Sequence, residues 1–287
     1  MGRFPMMDAM DYAEKAGELF VLSDSFIRIK ELIDDESSTI DDIADVILLD
    51  PALSATILKL ANSSFFNYPG KIDTISKAVL VLGITEVYNL VIAYFATDAF
   101  KRASAQPDVL EDYWDRSVDA ALLIKYLGTA LNVPNAERLF ILGLLHNIGE
   151  LMMLEFEPEK VMETMQIVNT ETLWDKQQAV FGFTFADCSA ELLKVWQLPY
   201  NMIEPIREQD NESFEFGTLE TKVLYIAKRV MLLNHQCKTH NPETFFNPVL
   251  MTELNVSADL MKAANNFTDM ERLSILAMLK PSSVMIY

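Results

Sequence analysis

The sequence predicts an all-α protein, and three observations predict it. Hydrophobic residues make up 51% of the 287-residue chain, enough for a sizeable core. They recur over long stretches at three- and four-residue spacing, the period of a helix with one buried face. Glycine and proline are scarce, 9 and 11 residues, which disfavours a many-turned β sandwich. A chain of this length suggests one large domain or two closely packed ones.

The elements follow in order. Residues 1–21 read as an acidic amphipathic helix with Tyr12, Ala16, Leu19 and Phe20 on one side. Phe26, Ile29, Leu32 and Ile33 form a second stripe. Thr39 and Asp42 have the spacing of a capping box, which starts a helix over Ile40 to Leu49. Asp50 caps the next, with Pro51 at its first position, where a missing N–H costs nothing. Asn62 to Gly70 is a turn-rich connection with three aromatics, Phe65, Phe66 and Tyr68. Thr74 caps a helix that stops at Gly83, and Thr85 caps another running to about Ala103. The polar segment 104–108 is the best boundary, dividing an N-terminal helical subdomain (1–105) from a C-terminal one (106–287). The second block opens with a long helix, about Val109 to Leu131, carrying Trp114, Val118, Leu122 and Tyr126 near one face. Pro134 and Asn135 then lead into the apolar run 139–149. Further helices are expected near 150–156, 158–168, 171–181, 185–196, 200–208 and 219–234, with a loop at 211–217 and a helical tail over about 248–280.

Charge narrows the function. With 42 acidic and 23 basic residues the formal charge is −19. Such a field repels phosphate backbones and anionic lipid surfaces, so neither direct nucleic-acid binding nor membrane docking is expected. The two cysteines, Cys188 and Cys237, do not make a disulfide scaffold. Asp8, Asp11 and Glu14 arrive where a signal peptide would be apolar, and the stretch Val87 to Thr97 is about half the length of a bilayer span. The expected location is cytoplasmic.

Three segments carry the functional information. Asp50-Pro51-Ala52-Leu53 precedes Leu60-Ala61-Asn62-Ser63-Ser64-Phe65-Phe66. Ile75 and Ala78 precede Leu82-Gly83. Gly143-Leu144-Leu145-His146-Asn147-Ile148-Gly149 is followed by Trp196-Gln197-Leu198-Pro199. In this order the chain resembles the HDOD family, with its DPAL, LANSAFF, GLLHDIG and W.LP motifs, over about residues 22–210. The resemblance implies an HD-like C-terminal subdomain with the N-terminal bundle packed on it. It also implies a signalling output role and descent from phosphohydrolases that hold divalent metals through a histidine, a His-Asp pair and a later aspartate.

The side chains at those places depart from the metal pattern. His146-Asn147 stands for His-Asp, and an amide oxygen is a poor replacement for a bridging carboxylate. Arg116 stands where an upstream histidine is expected, and a guanidinium does not ligate a metal. Phe185 takes the place of another histidine, and Gln209-Asp210 that of a His-His pair. No bound metal or cofactor is expected. Arg116, His146, Asn147, Phe185, Gln209 and Asp210 instead line a candidate groove, in which Arg116 offers its fork to an anionic group.

Other features read more simply as structure. His235-Gln236-Cys237-Lys238-Thr239-His240 hints at zinc, but no fourth ligand is evident. Ser63, Ser64 and Ser189 lack a nucleophile elbow. Phe65, Phe66 and Tyr68 read as a loop tucked on the core, and methionines such as Met152, Met153, Met162 and Met165 as core filler.

The expected function is therefore a non-catalytic regulatory module that binds a protein partner or a small anionic ligand, with a homodimer also open. The alternative is a divergent metal-dependent phosphohydrolase that keeps His146 and recruits Asp112, Asp115, Asp119, Asp187 or Asp210.

Overall fold

The computed structural model describes the chain apart from residues 1–6, 21–22, 36, 64–67, 101–105, 135, 167–171, 215–216, 236–244 and 280–287. Among the described residues there are helices and no strand, as the apolar periodicity predicts. In chain order the α-helices are α1 (Ala9–Leu19), α2 (Asp24–Asp34), α3 (Ile40–Leu48), α4 (Pro51–Ala61), α5 (Ile75–Leu82), α6 (Ile84–Phe100), α7 (Pro107–Ala130) and α8 (Leu139–Leu145). They continue as α9 (Ile148–Phe156), α10 (Pro158–Thr164), α11 (Leu173–Phe181), α12 (Phe185–Val195), α13 (Tyr200–Arg207), α14 (Leu219–His235), α15 (Pro248–Glu253) and α16 (Ala258–Leu279). A 3₁₀ turn, Ala136–Arg138, precedes α8.

Two compact units form, one of residues 1–20 with 103–266 and the other of 21–102 with 267–287. The helix that opens the chain therefore lies in the unit built mainly from the C-terminal half. Its buried face of Ala9, Tyr12, Ala13 and Ala16 packs on α12. Two long-range bonds fix it there. Tyr12 Oη donates to Glu157 Oε1 (2.8 Å), and Trp196 Nε1 donates to the Phe20 carbonyl (3.2 Å). Leu19, expected on the apolar side, is instead exposed, while Phe20 beyond the helix end turns inward.

At the centre of this larger unit, α7 is buried on nearly every side from Tyr113 to Ile124 and packs on α8 and α14. A helix surrounded in this way is a core element rather than a surface one. The stretch Leu139–Phe156 is long and apolar enough to cross a membrane by length and composition, yet 83% of it is buried inside the unit. Its apolar side chains thus serve the core.

In the smaller unit the predicted caps form. Thr39 and Asp42 close a capping box on α3, Asp50 accepts from the Ala52 and Leu53 N–H groups, and Thr74 accepts from Lys77 N–H. The start of α6 differs. Gly83, at φ +89°, ends α5 and turns the chain by 119°. Its carbonyl already accepts from Val87 N–H, so Thr85 sits inside the first turn rather than capping it. The expected continuous tail is also broken, because Asn255 adopts φ +53° between α15 and α16. The long helix starts at Pro107, two residues earlier than expected, with the proline at its first position. Ser64, Phe65, Phe66, Asn135, Cys237 and His240 lie outside the described residues.

Candidate functional site

The site forms where the helix carrying the His-Asn pair breaks. His146 ends α8 and Asn147 leaves helical geometry at φ −119°, after which α9 begins. His146 is 1% exposed, and its Nδ1 lies 2.6 Å from the Gly143 carbonyl. A carbonyl only accepts, so the proton sits on Nδ1 and Nε2 carries the lone pair. Burial, helped by the nearby cations Lys228 and Arg116, pushes the imidazole down to about 3, and it is neutral at ordinary pH. Nε2 is buried without a hydrogen-bond partner among the described residues.

One turn later Glu150 is also buried, in the first turn of α9, where a carboxylate suits the helix dipole. Arg116 from α7 grips it with both arms: Nη1 to Oε2 at 3.0 Å and Nη2 to Oε1 at 2.6 Å. Arg116 Nε donates to Asp112 Oδ2 at 2.8 Å, and Asn147 Nδ2 donates to Glu150 Oε2. Burial alone disfavours the charged form of both partners. For Glu150 the Arg116 charge and its hydrogen bonds outweigh this and hold the carboxyl below its usual range. For Arg116 the two carboxylates outweigh it and raise the guanidinium further.

A second buried pair lies on the other side. Lys228 Nζ of α14 donates to both oxygens of Asp210 at 2.7 and 2.8 Å. Burial lowers the ammonium despite this partner. Gln209 connects the pair to the histidine, since its Nε2 donates to the His146 and Ile206 carbonyls, each at 2.8 Å. Its Oε1 is buried without a hydrogen-bond partner among the described residues. Arg229 is fully buried, its guanidinium carbon 3.3 Å from the centre of the Tyr225 ring and 4.6 Å from that of Trp174. It pins the segment after α13 by donating to Glu212 (2.8 Å).

Of the six residues expected in the groove, the structure thus joins Arg116 and Asn147 through Glu150, and His146 to Gln209, whose neighbour Asp210 is held by Lys228. Phe185 stands apart from the polar set and packs on Phe181. Its backbone touches the motif. Gly149 N–H donates to Ser189 Oγ (2.8 Å), whose hydroxyl donates to the Phe185 carbonyl (2.9 Å). Glu150 and Lys228 were not singled out from sequence. The available signal was a charged residue inside an apolar run, Glu150 within 139–156 and Lys228 within 223–233.

Four of the five aspartates that an alternative metal site would recruit have other duties. Asp112 binds Arg116, Asp119 binds His235 Nε2 (2.7 Å), Asp187 closes the capping box of Thr184, and Asp210 holds Lys228. His235, one end of the zinc-like spacing, is therefore committed to α7.

The sequence profile of the HDOD domain matches residues 19–212. The chain belongs to the HDOD family. Solved structures share the fold of this HDOD protein. A candidate phosphohydrolase from Shewanella amazonensis SB2B superposes with a TM-score of 0.70 at 24% identity, over 96% of this chain and 98% of that one. A candidate signal transduction protein from Marinobacter aquaeolei VT8 gives 0.71 at 20% identity, over 95% and 66%. An uncharacterized protein of Treponema pallidum (strain Nichols) is 25% identical over 211 residues, 71% of this chain. The HDOD chain spans 40% of the length of that curated relative.

The residues present do not fit the divalent metal that the family resemblance implies. A hydrolytic centre needs several His or carboxylate ligands and an open position for water. His146 Nε2 has no hydrogen-bond partner among the described residues, and Arg116 and Lys228 place two positive charges beside it. Among the described residues no three His, Cys, Asp or Glu side chains converge on one point.

Proposed function

We propose that this HDOD domain is a non-catalytic regulatory module that works by binding a protein partner. One observation carries the reading. The buried fork of Arg116 closes on Glu150, and this internal ion pair supports reading the place where the resemblance implies a metal as a structural one. The same observation favours a protein over a small anionic ligand, because an anion would have to displace Glu150 from a bidentate buried pair. Such pairs are strongly disfavoured when one partner is left alone. The activity and partners of any longer protein containing this domain fall under the same proposal.

The test is metal content and turnover on the purified chain. After incubation with manganese and desalting, elemental analysis should find metal well below one ion per chain. Hydrolysis of bis-p-nitrophenyl phosphate should not respond to chelator. Stoichiometric metal with chelator-sensitive turnover would establish the phosphohydrolase reading instead. Sedimentation across a concentration series separates a homodimer from a monomer that awaits a different partner.

A further inference from the structure

A cleft of about 270 Å³ opens on the larger unit between α13 and the start of α14. Its walls are of two kinds. Tyr200, 69% exposed, Ile203 and Phe214 supply apolar and aromatic surface. Phe214 is held edge-on against Tyr225 at 4.9 Å, so that wall is fixed before anything binds. Glu204, Arg207 and Glu208 supply charge.

The charges do not cancel. Arg207 is satisfied within the chain, by Glu191 Oε1 at 2.6 Å and Asp187 Oδ1 at 3.8 Å. Neither Glu204 nor Glu208 has an ion-pair partner among the described residues, and Glu208 accepts only from Asn211 (2.8 Å). The two glutamates are four residues apart, Glu204 in the last turn of α13 and Glu208 at its C-cap, and like charges at that spacing repel. A cation between them relieves the repulsion. At about 270 Å³ the cleft is at the small end of ligand pockets, which run from about 300 to 1,000 Å³. It suits one long side chain, with an aliphatic stem against Ile203, a planar cationic head beside the aromatic rings and the two carboxylates at its end. Guanidinium meets all three demands, since it stacks on rings and forks to carboxylates. The formal charge of −19 would draw a basic partner toward this surface.

We propose that this cleft is the docking site for an arginine side chain of the protein partner. The proposal rests on the regulatory-module reading and names the chemistry of its partner.

The probe is N-acetyl-L-arginine methylamide, titrated into the full chain and followed by NMR, with the glutamine analogue as control. The expected result is saturable shift changes at Tyr200 and Phe214 that the glutamine analogue does not produce. Affinity should weaken with added salt. It should fall by about tenfold or more in E204Q/E208Q, where two charge-assisted contacts are lost, and stay unchanged in E159Q/E163Q, a charge-matched change at exposed positions of α10. Absence of saturable shifts in the wild-type cleft, equal affinity in E204Q/E208Q, or preferential uptake of inorganic phosphate would overturn the proposal. Those outcomes leave the module reading intact, since it falls only if metal-dependent turnover is found.

Discussion

Removing the Glu150 carboxylate while Arg116 stays would leave a buried guanidinium with only the exposed Asp112 as its partner. Breaking a buried pair in this way costs about 3–5 kcal/mol, whereas replacing both members with apolar residues of similar volume is often neutral or stabilising. E150A should therefore lower the urea midpoint sharply, and R116M/E150L should recover most of the loss. Equal destabilisation of both variants would show that the pair matters for shape rather than charge. His146 gives a second residue-scale prediction. Unfolded, it binds a proton below about 6.5; folded, only near 3. Between these values the unfolded state holds more protons, so stability rises with pH by about 1.4 kcal/mol per unit and falls as pH drops from 6.5. H146F should show a shallower slope between pH 6.5 and 5 in urea titrations, and an unchanged slope would mean the folded imidazole titrates normally. At this scale the sequence reading identified Arg116, His146, Asn147 and Gln209 from their motif positions. It missed Glu150 and Lys228, because neither stands at a motif position and their partners are 34 and 18 residues away.

At the scale of elements, α9 meets α12 at Gly149. A Cβ there would lie 2.3 Å from the Phe185 carbonyl oxygen and 2.6 Å from the Ser189 nitrogen. Both are backbone atoms and neither can swing aside. Alanine would gain up to about 1 kcal/mol in helix propensity but lose about 1–3 kcal/mol to overpacking. It would also disturb the bond from Gly149 N–H to Ser189. G149A is thus expected to be less stable by about 1–2 kcal/mol by urea denaturation, and a gain in stability would show that the two helices are free to separate. The caps are more local: T184A removes an acceptor for Asp187 N–H and should cost about 1 kcal/mol in the same assay. Caps and apolar stripes were legible in the sequence because both depend on residues within one turn of each other. Which helix meets which was not. The docking of α1 on α12 joins segments some 170 residues apart, and periodicity marks a buried face without naming what covers it. Likewise, Asn255 in left-handed geometry breaks the tail although no glycine or proline announces it.

For the whole molecule the governing quantity is the excess of 19 negative charges. Self-repulsion of that kind opposes compactness and reaches across the molecule at low salt, where the screening length is about 30 Å at 0.01 M; at 0.15 M it is about 8 Å. Salt also weakens ion pairs. The exposed pair Arg28–Glu31 and the half-exposed Lys30–Asp34 and Lys77–Asp73 are each worth only a few tenths of a kcal/mol. The buried pairs Arg116–Glu150 and Lys228–Asp210 are little screened. Loss of repulsion should therefore win, and the melting temperature should rise between those two salt concentrations. Manganese provides the contrast. A specific site filled to 100 times its dissociation constant adds about 2.7 kcal/mol, whatever the ionic strength. In physiological salt, micromolar manganese should leave the melting curve where it was, because Arg116 and Lys228 already occupy the carboxylates it would need. A saturable rise at that concentration, abolished by chelator and absent in H146F, would show that the ion pairs open to admit a metal.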